Sequence, residues 1–323
     1  MKVKTAAAVL LSCAIQAYAP MAAAQIPQGK PVRLVIGFLA GGPTDVLARV
    51  LAQKMSEGLG TNVFVDNRAG AAGNIAAELV AKSPPDGLTL YLPVVSHVIN
   101  PHLYGKVNYD PIKDFTSITY IASTPYLIIA HPSLPAKNVK ELVAFAKSRP
   151  GQLNFSSSGN GTGSHLAGEV FRQTTGIDIV HVPYRSAAPA LTDLVAGQVM
   201  LQFNNPLSAL PLVKTGRIKA LAVMSAKRNA GAPEVPTLAE SGYTGGEVGS
   251  WSGIVGPAGL PRAIVNRYHQ ELLRVLAIPD VRSRLLAEGA EIIAGGPEDL
   301  DQLIKGELAK WAKVVSTSGA RID

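Results

Sequence analysis

The stretch RLVIGFLAGGPTDVLARVLAQKM, residues 33–55, decides the fold. Arg33-Leu34-Val35-Ile36-Gly37-Phe38 is apolar and rich in β-branched side chains, which predicts a strand. Gly41-Gly42-Pro43 then turns the chain. Beyond the turn, Val46, Leu47, Val50, Leu51 and Met55 recur at helical spacing. Working outward, Asn62–Asp66 is a second strand and Gly73–Lys82 a second helix. That helix is stopped by Ser83-Pro84-Pro85-Asp86-Gly87, a strong breaker, and Leu88–Val95 is a third strand. A β-α-β-α-β run of this kind predicts an α/β fold, with a parallel sheet and right-handed crossovers.

The pattern recurs further along. Strands are expected at Tyr126–Ala130, Leu153–Ser157, Ile177–Val182, Val199–Phe203 and Ile218–Met224. Helices are expected at Val139–Arg149, Ser164–Thr175, Ala188–Ala196 and Pro206–Lys214. A Gly- and Pro-rich stretch runs from Lys227 to Gly249. The tail reads as three helices, Pro261–Leu276, Pro279–Glu288 and Pro297–Ser316, each opened by a proline that the first turn tolerates. No tandem repeat or low-complexity linker separates the two α/β halves.

Composition agrees with a packed protein. Hydrophobic residues make up 47% and charged residues 16% of the chain, enough apolar surface to bury a core and too little charge for disorder. A length of 323 residues fits two domains at roughly 150 residues each. The 31 glycines have no three-residue period and no heptad run is sustained, which excludes collagen-like and coiled-coil architectures. A net charge of +7 becomes +5 without Lys2 and Lys4, a mild field suited to small anions. The basic residues are scattered and lack interleaved aromatics, so no nucleic-acid partner is expected.

Residues 1–24 read as a signal peptide that is removed on export. Lys2 and Lys4 form the positive start, Thr5–Ile15 the apolar stretch, and Ala22-Ala23-Ala24 the small-residue cleavage site. Gln16 and Pro20 interrupt the apolar run below the ~20 residues that a membrane span needs. Cys13, the one cysteine, falls in this segment, and Leu11 is too large for a lipoprotein signal. The mature chain would then carry no disulfide and no thiolate ligand or nucleophile.

Two junctions carry candidate chemistry. Phe38-Leu39-Ala40-Gly41-Gly42-Pro43-Thr44-Asp45 follows a strand and opens a helix. Its glycines let backbone approach a ligand, the helix start offers N–H groups and partial positive charge, and Thr44 and Asp45 are candidate caps. Ser158-Gly159-Asn160-Gly161-Thr162-Gly163-Ser164-His165 is the second such junction, with hydroxyl and amide groups between its glycines. One junction in each half points to an anionic ligand held between domains, outside the carboxyl ends of the strands. Ser96-His97, Tyr184-Arg185 and Asn204-Asn205 also stand at strand ends. Arg185 is a candidate carboxylate clamp, and an exposed surface arginine is the equal alternative.

Other chemistries lack their residues. There is no G-x-x-x-x-G-K-[ST], no dinucleotide fingerprint and no G-x-S-x-G elbow. Ser164 and His165 are sequence neighbours, which does not orient a base on a nucleophile. His165 and Glu169 share a helix face but supply too few ligands for a metal. No metal and no cofactor is expected.

The blocks AGGPTDVLAR, VDNRAGAAGNIAAELVAKSPPDGLTL, NPHLYGKVNYDPIKDF, NFSSSGNGTGSHLAGEVF, HVPYRSAAPALTDLVAGQV, LAVMSAKR, VPTLAESG and GELAKWAKVV together resemble the solute-binding proteins of the tripartite tricarboxylate transporter system, the Bug family. The resemblance covers nearly all of the mature chain. It implies a periplasmic, two-lobed, type II Venus-flytrap binder, each lobe a mostly parallel sheet flanked by helices. Residues 25–122 plus 250–323 would form domain 1 and residues 123–249 domain 2. It further implies a small carboxylate seated on the loops matching Phe38–Asp45 and Ser158–His165, a transporter as membrane partner, a monomeric state and no catalysis. Gly37, Arg185-Ser186 and Met200-Leu201-Gln202 depart from the family pattern, which predicts a less polar, more cationic distal pocket and a ligand with an apolar or aromatic body, a mono- or dicarboxylate. The rival readings are a binding protein that presents the ligand to a sensor kinase, and an exported hydrolase built on Ser164 and His165.

Overall fold

A computed structural model describes residues 29–318 apart from Glu288. The expected signal segment and Cys13 lie outside the described residues. In chain order the first elements are β1 (Val32–Ile36), α1 (Pro43–Leu59), β2 (Val63–Asn67), α2 (Asn74–Ala81), β3 (Thr89–Tyr91), α3 (Ser96–Leu103) and β4 (Phe115–Pro125). The middle of the chain forms β5 (Leu127–Ala130), α4 (Val139–Lys147), β6 (Asn154–Ser157), α5 (Gly163–Thr175), β7 (Val180–Pro183), α6 (Ala187–Val195), β8 (Leu201–Asn204), α7 (Pro206–Lys214) and β9 (Lys219–Val223). The last elements are β10 (Gly249–Pro257), α8 (Arg262–Ala277), α9 (Pro279–Ala287), β11 (Glu291–Gly295) and α10 (Pro297–Ser318).

These strands make two sheets. The first has the order β11-β4-β10-β3-β1-β2, and the second β7-β6-β8-β5-β9. β1 pairs in parallel with β2 and β3, and β6 with β7 and β8, as the β-α-β reading expects. The remaining ladders are antiparallel. β10 runs against both β3 and β4, β11 against β4, and β5 against β8 and β9. The chain leaves the first sheet at Pro125 and returns at Gly249, so β4 and β10 are the paired strands that carry both crossings.

Each sheet is buried on both faces, which is why its strands read as continuous apolar runs. In β1, Leu34 and Ile36 point to a core shared with Leu47, Leu51 and Met55 of α1 and Tyr268 and Leu272 of α8. Val35 points the other way, towards Ala76, Val80 and Val98. That second core runs on without a break into Ile128, Phe155 and Phe203 of the second sheet, and Trp311 of α10 belongs to it. The far face of the second sheet buries Leu127 and Ile129 against Leu191, Leu194 and Leu210.

Helix ends follow local chemistry. Asn138 caps α4 by accepting from Glu141 N, and the Glu141 carboxylate reaches back to Lys137 N. α1 and α5 both stop at a left-handed glycine, Gly60 at φ 67° and Gly176 at φ 64°. The sequence reading did not identify β4, β10, β11 or α3, and the strand expected at Leu88–Val95 contracts to β3, with an isolated bridge at Val94 before α3. β10 (GSWSGIVGP) looks like loop because of its glycines. They leave room for neighbours: a Cβ on Gly253 would press on the tip of Leu300, and one on Gly256 on the tip of Leu260.

Gly37 has a similar cause. Its Cα faces the backbone of Gly73, and a Cβ there would lie 2.5 Å from Gly73 Cα. Backbone cannot yield as a side chain tip can. Gly37→Ala is therefore expected to destabilise the protein by about 1–3 kcal/mol, read as a lower urea midpoint; an unchanged midpoint would refute the contact.

Candidate ligand-binding cleft

A cleft opens between the two sheets, with about 1020 Å³ of empty space including its mouth. Phe38, Leu39, Gly42, Pro43, Thr44 and Leu47 form one wall, and Ser158, Thr162, Gly163 and Ser164 face them. The floor is β10 and β4, through Ser250, Trp251, Ser252, Ala122 and Thr124. None of the lining side chains carries a formal charge. Instead the cleft receives the first residues of five helices: Gly42–Thr44 of α1, Ser96 of α3, Thr162–Ser164 of α5, Ser186-Ala187 of α6 and Asn205 with Leu207 of α7. Each helix start brings a partial positive charge, worth about 0.3–1 kcal/mol per end to an anion near the surface. Those of α1, α5 and α6 also bring N–H groups that no side chain caps in full, whereas Asn205 takes the Leu207 N–H of α7.

The first loop is built for a close backbone approach. Gly41 takes φ 85°, and Gly42 is the N-cap of α1 without a capping side chain. Asp45 does not cap the helix as the sequence suggested. It sits in the first turn and reaches back, accepting from Gly41 N at 3.0 Å, Arg49 Nε at 2.8 Å and Asn67 Nδ2 at 3.0 Å. Asn67 Nδ2 also donates to Phe38 O at 3.0 Å. Burial pushes the Asp45 carboxyl up, but the bonds from Arg49, Gly41 and Asn67 outweigh it and hold its pKa below the ordinary value. Asp45 therefore pins the loop while Thr44 faces the cleft.

Hydroxyl groups organise the second loop. Thr162 caps α5, with Oγ1 donating to Gly159 O at 2.7 Å. Ser164 Oγ accepts from Ser158 N at 3.0 Å and lies 2.9 Å from Ser158 Oγ and 3.0 Å from Thr162 Oγ1. Gly159 and Gly161 take φ 128° and 77°, which only glycine adopts cheaply. Gly163 is the point of closest approach: a Cβ there would overlap Tyr126 Oη and Val95 Cγ1.

A buried pair of imidazoles underlies this loop. His165 and His181 stack with centroids 4.0 Å apart. His165 Nδ1 accepts from Gly161 N at 3.2 Å, and His181 Nε2 lies 2.6 Å from Ser157 Oγ. Glu169 faces His165 Nε2 at 3.9 Å and is itself paired with Arg172 at 2.9 Å. Burial, aided by the Arg172 charge, pushes His165 down to about 4. Burial and the neighbouring His165 push His181 down to about 3. Both rings are thus neutral supports of the loop. Ser164 bonds within the loop and His165 to Gly161, so the two do not form a nucleophile–base pair.

Of the residues expected from sequence, Phe38, Leu39, Gly42, Pro43, Thr44, Ser96, Ser158, Thr162, Gly163, Ser164 and Asn204 line the cleft. Ala40, Gly41 and Asn160 are exposed parts of the same two loops outside the lining, and Asp45, Gly161 and His165 are buried behind it. His97 points away, stacked on Tyr109 and bonded to Pro111 O at 3.2 Å. Tyr184 donates to Asp193 at 2.6 Å. Arg185 is exposed and does not reach the lining, so the cleft is neutral where the sequence predicted a more cationic pocket. Sequence reasoning missed Trp251, Tyr126, Leu207, Leu285 and Ala290, while Gln202, one of the departures tied to the distal pocket, is in the lining. Trp251, Leu285 and Ala290 arrive because β10 and the tail fold back onto the first sheet, and Tyr126 and Leu207 come from the second sheet's side of the cleft, which no local motif announces. Trp251 Nε1 and Ser96 Oγ are buried with no hydrogen-bond partner among the described residues.

The family model described as "Tripartite tricarboxylate transporter family receptor" matches residues 47–320. The chain belongs to this family. Among solved members, the periplasmic binding protein BugD is 35% identical, with a TM-score of 0.86 over 90% of this chain and 98% of that one. Rpa4515 of R. palustris, solved with adipate, is 38% identical, with a TM-score of 0.87 over 91% and 100% of the two chains. MatC of Rhodopseudomonas palustris, solved with bound malate, is 33% identical, with a TM-score of 0.85 over 89% and 99%. The two-lobed periplasmic-binding-protein fold of this receptor family is the fold described above.

The buried histidines give this receptor a definite response to acid. From pH 6.5 down to their folded values near 4 and 3, the unfolded chain binds protons that the folded rings exclude. Stability is complete above pH 6.5 and is lost as pH falls through that window. Thermal unfolding from pH 7.5 to 4.5 is expected to show a falling Tm, with a shallower slope in His181→Gln. A Tm flat across the window would contradict the neutral stack.

Proposed function

We propose that the protein is an exported periplasmic receptor that captures a small carboxylate with an apolar body between two lobes and delivers it to a tripartite tricarboxylate-type transporter, without turning it over. In this reading the lobes are residues 25–122 plus 250–323 and residues 123–249. The observation that carries it is the convergence of five helix starts on a cleft without charged side chains. An anion there is held by backbone N–H groups and hydroxyls in a desolvated setting, where neutral donors suffice. The apolar body is supported by Leu47, Leu92, Val94, Phe203, Leu207 and Leu285 along the walls. The adipate and malate bound by its relatives are carboxylates of the size expected.

Thr44 and Ser164 are the side chains assigned to the carboxylate, with the N–H groups at the starts of α1 and α5; the Thr162 hydroxyl is spent on Gly159 O. Arg185 has no part in this assignment. Thermal shift of the mature protein (residues 25–323) against adipate, benzoate, malate and matched alcohols tests the reading. A carboxylate at about 100 times its Kd adds ~2.7 kcal/mol of stability, and the alcohols add none. Ser164→Ala is expected to weaken that carboxylate about tenfold, through the unanchored loop. Equal shifts from acids and alcohols, or none from any carboxylate, would overturn the proposal.

A further inference from the structure

Away from the β4–β10 crossings and the shared core, the lobes also touch at the rim of the cleft. Asn229, in the loop after β9, donates from Nδ2 to Gly289 O at 2.8 Å, and this contact is buried. Gly289 stands in the turn between α9 and β11. The chain leaves the first sheet at Pro125 and regains it at Gly249, so this bond spans the cleft. Beside it, Leu207 of α7 packs into the core built on the first sheet, and Leu207, Leu285 and Ala290 line the cleft just inside.

Both partners are held for this contact. The Asn229 side chain is oriented by its other end, since Oδ1 accepts from Gly231 N at 2.9 Å. Gly289 takes φ 81°, a left-handed conformation costly for other residues. A Cβ on Gly289 would lie 2.5 Å from Pro206 Cβ and 2.7 Å from Asn229 Oδ1. Any side chain there would wedge the lobes apart at this point.

We propose that Asn229 and Gly289 form a latch that holds the lobes closed and sets the rate at which ligand leaves. The inference rests on the two-lobed capture reading above. A ligand favours the closed form only through contacts that the closed form adds. The latch supplies a ligand-independent share of that preference, because its hydrogen bond and its glycine fit exist only when the lobes meet. Asn229 and Gly289 do not line the cleft, so they act as positioning residues. A bond broken on opening moves the off-rate.

Asn229→Asp separates the roles of this side chain. It keeps the acceptor for Gly231 N and loses the donor to Gly289 O. Stopped-flow measurement with adipate is expected to give an off-rate at least about tenfold faster, because the donor is lost and a carboxylate then faces the Gly289 carbonyl. Gly289→Ala is expected to act in the same direction. A ligand-free readout keeps the two proposals apart. Spin labels on Lys227→Cys and Ser283→Cys, both exposed positions on either side of the latch, report the distance between lobes. Asn229→Asp is expected to shift that distribution to longer distances with or without adipate. Failure of the wild type to bind adipate would count against the carboxylate reading, and the distances would still decide the latch. Identical distance distributions in wild type and Asn229→Asp, or an unchanged off-rate, would overturn it.

Discussion

Unpaired N–H groups at helix starts, gathered in one cleft with no countercharge of their own, are the constraint on which the rest depends. Parallel strands feed helices at the same edge of a sheet, so their N-termini collect outside the carboxyl ends of the strands. β1, β6, β7 and β8 each run into a helix whose first residues reach the cleft. Such groups need acceptors, because a buried amide without one costs about 1–3 kcal/mol. The chain supplies few. Gly42 and Ser186 cap their helices without side-chain bonds, and no acidic side chain lines the cleft. In the proposed reading the ligand supplies the acceptor.

The surrounding residues make that arrangement rigid. Asp45 spends its carboxylate on Gly41, Arg49 and Asn67, behind the first loop, where it fixes the backbone without repelling an anion in front. The second loop is fixed by hydroxyls and by two neutral histidines, which bond the loop without adding charge. Donors held this way need little reorganisation when a ligand arrives, so less of the binding energy is lost to ordering.

Much of this was legible in the sequence. Residues 33–55 form strand, glycine turn and helix, and Pro206–Lys214 is a helix over those same residues, because apolar spacing and proline placement are local signals. The two glycine-rich loops were found for the same reason. The antiparallel strands β4, β10 and β11 were not. β10 carries glycines that make room for Leu300 and Leu260, partners from a helix and a loop beyond it, and its pairing with β4 joins segments more than a hundred residues apart. Trp251 reaches the cleft only through that pairing. Asp45 read as a helix cap because sequence gives its position near the helix start and not the direction of its carboxylate. Arg185 follows a strand end, as expected, yet its side chain lies outside the lining, which is a matter of side-chain direction that spacing does not encode.

The central claim is that backbone and hydroxyl donors, without a cationic side chain, select an anion. Calorimetric titration with adipate and with its uncharged diamide, at neutral pH, tests it most directly. The two have nearly the same shape and apolar body. The account predicts that adipate binds and that the diamide binds at least about a hundredfold more weakly, since its amide groups exchange charge-assisted hydrogen bonds for neutral ones and bring N–H donors to a cleft already lined with donors. Comparable affinities for the two would contradict it.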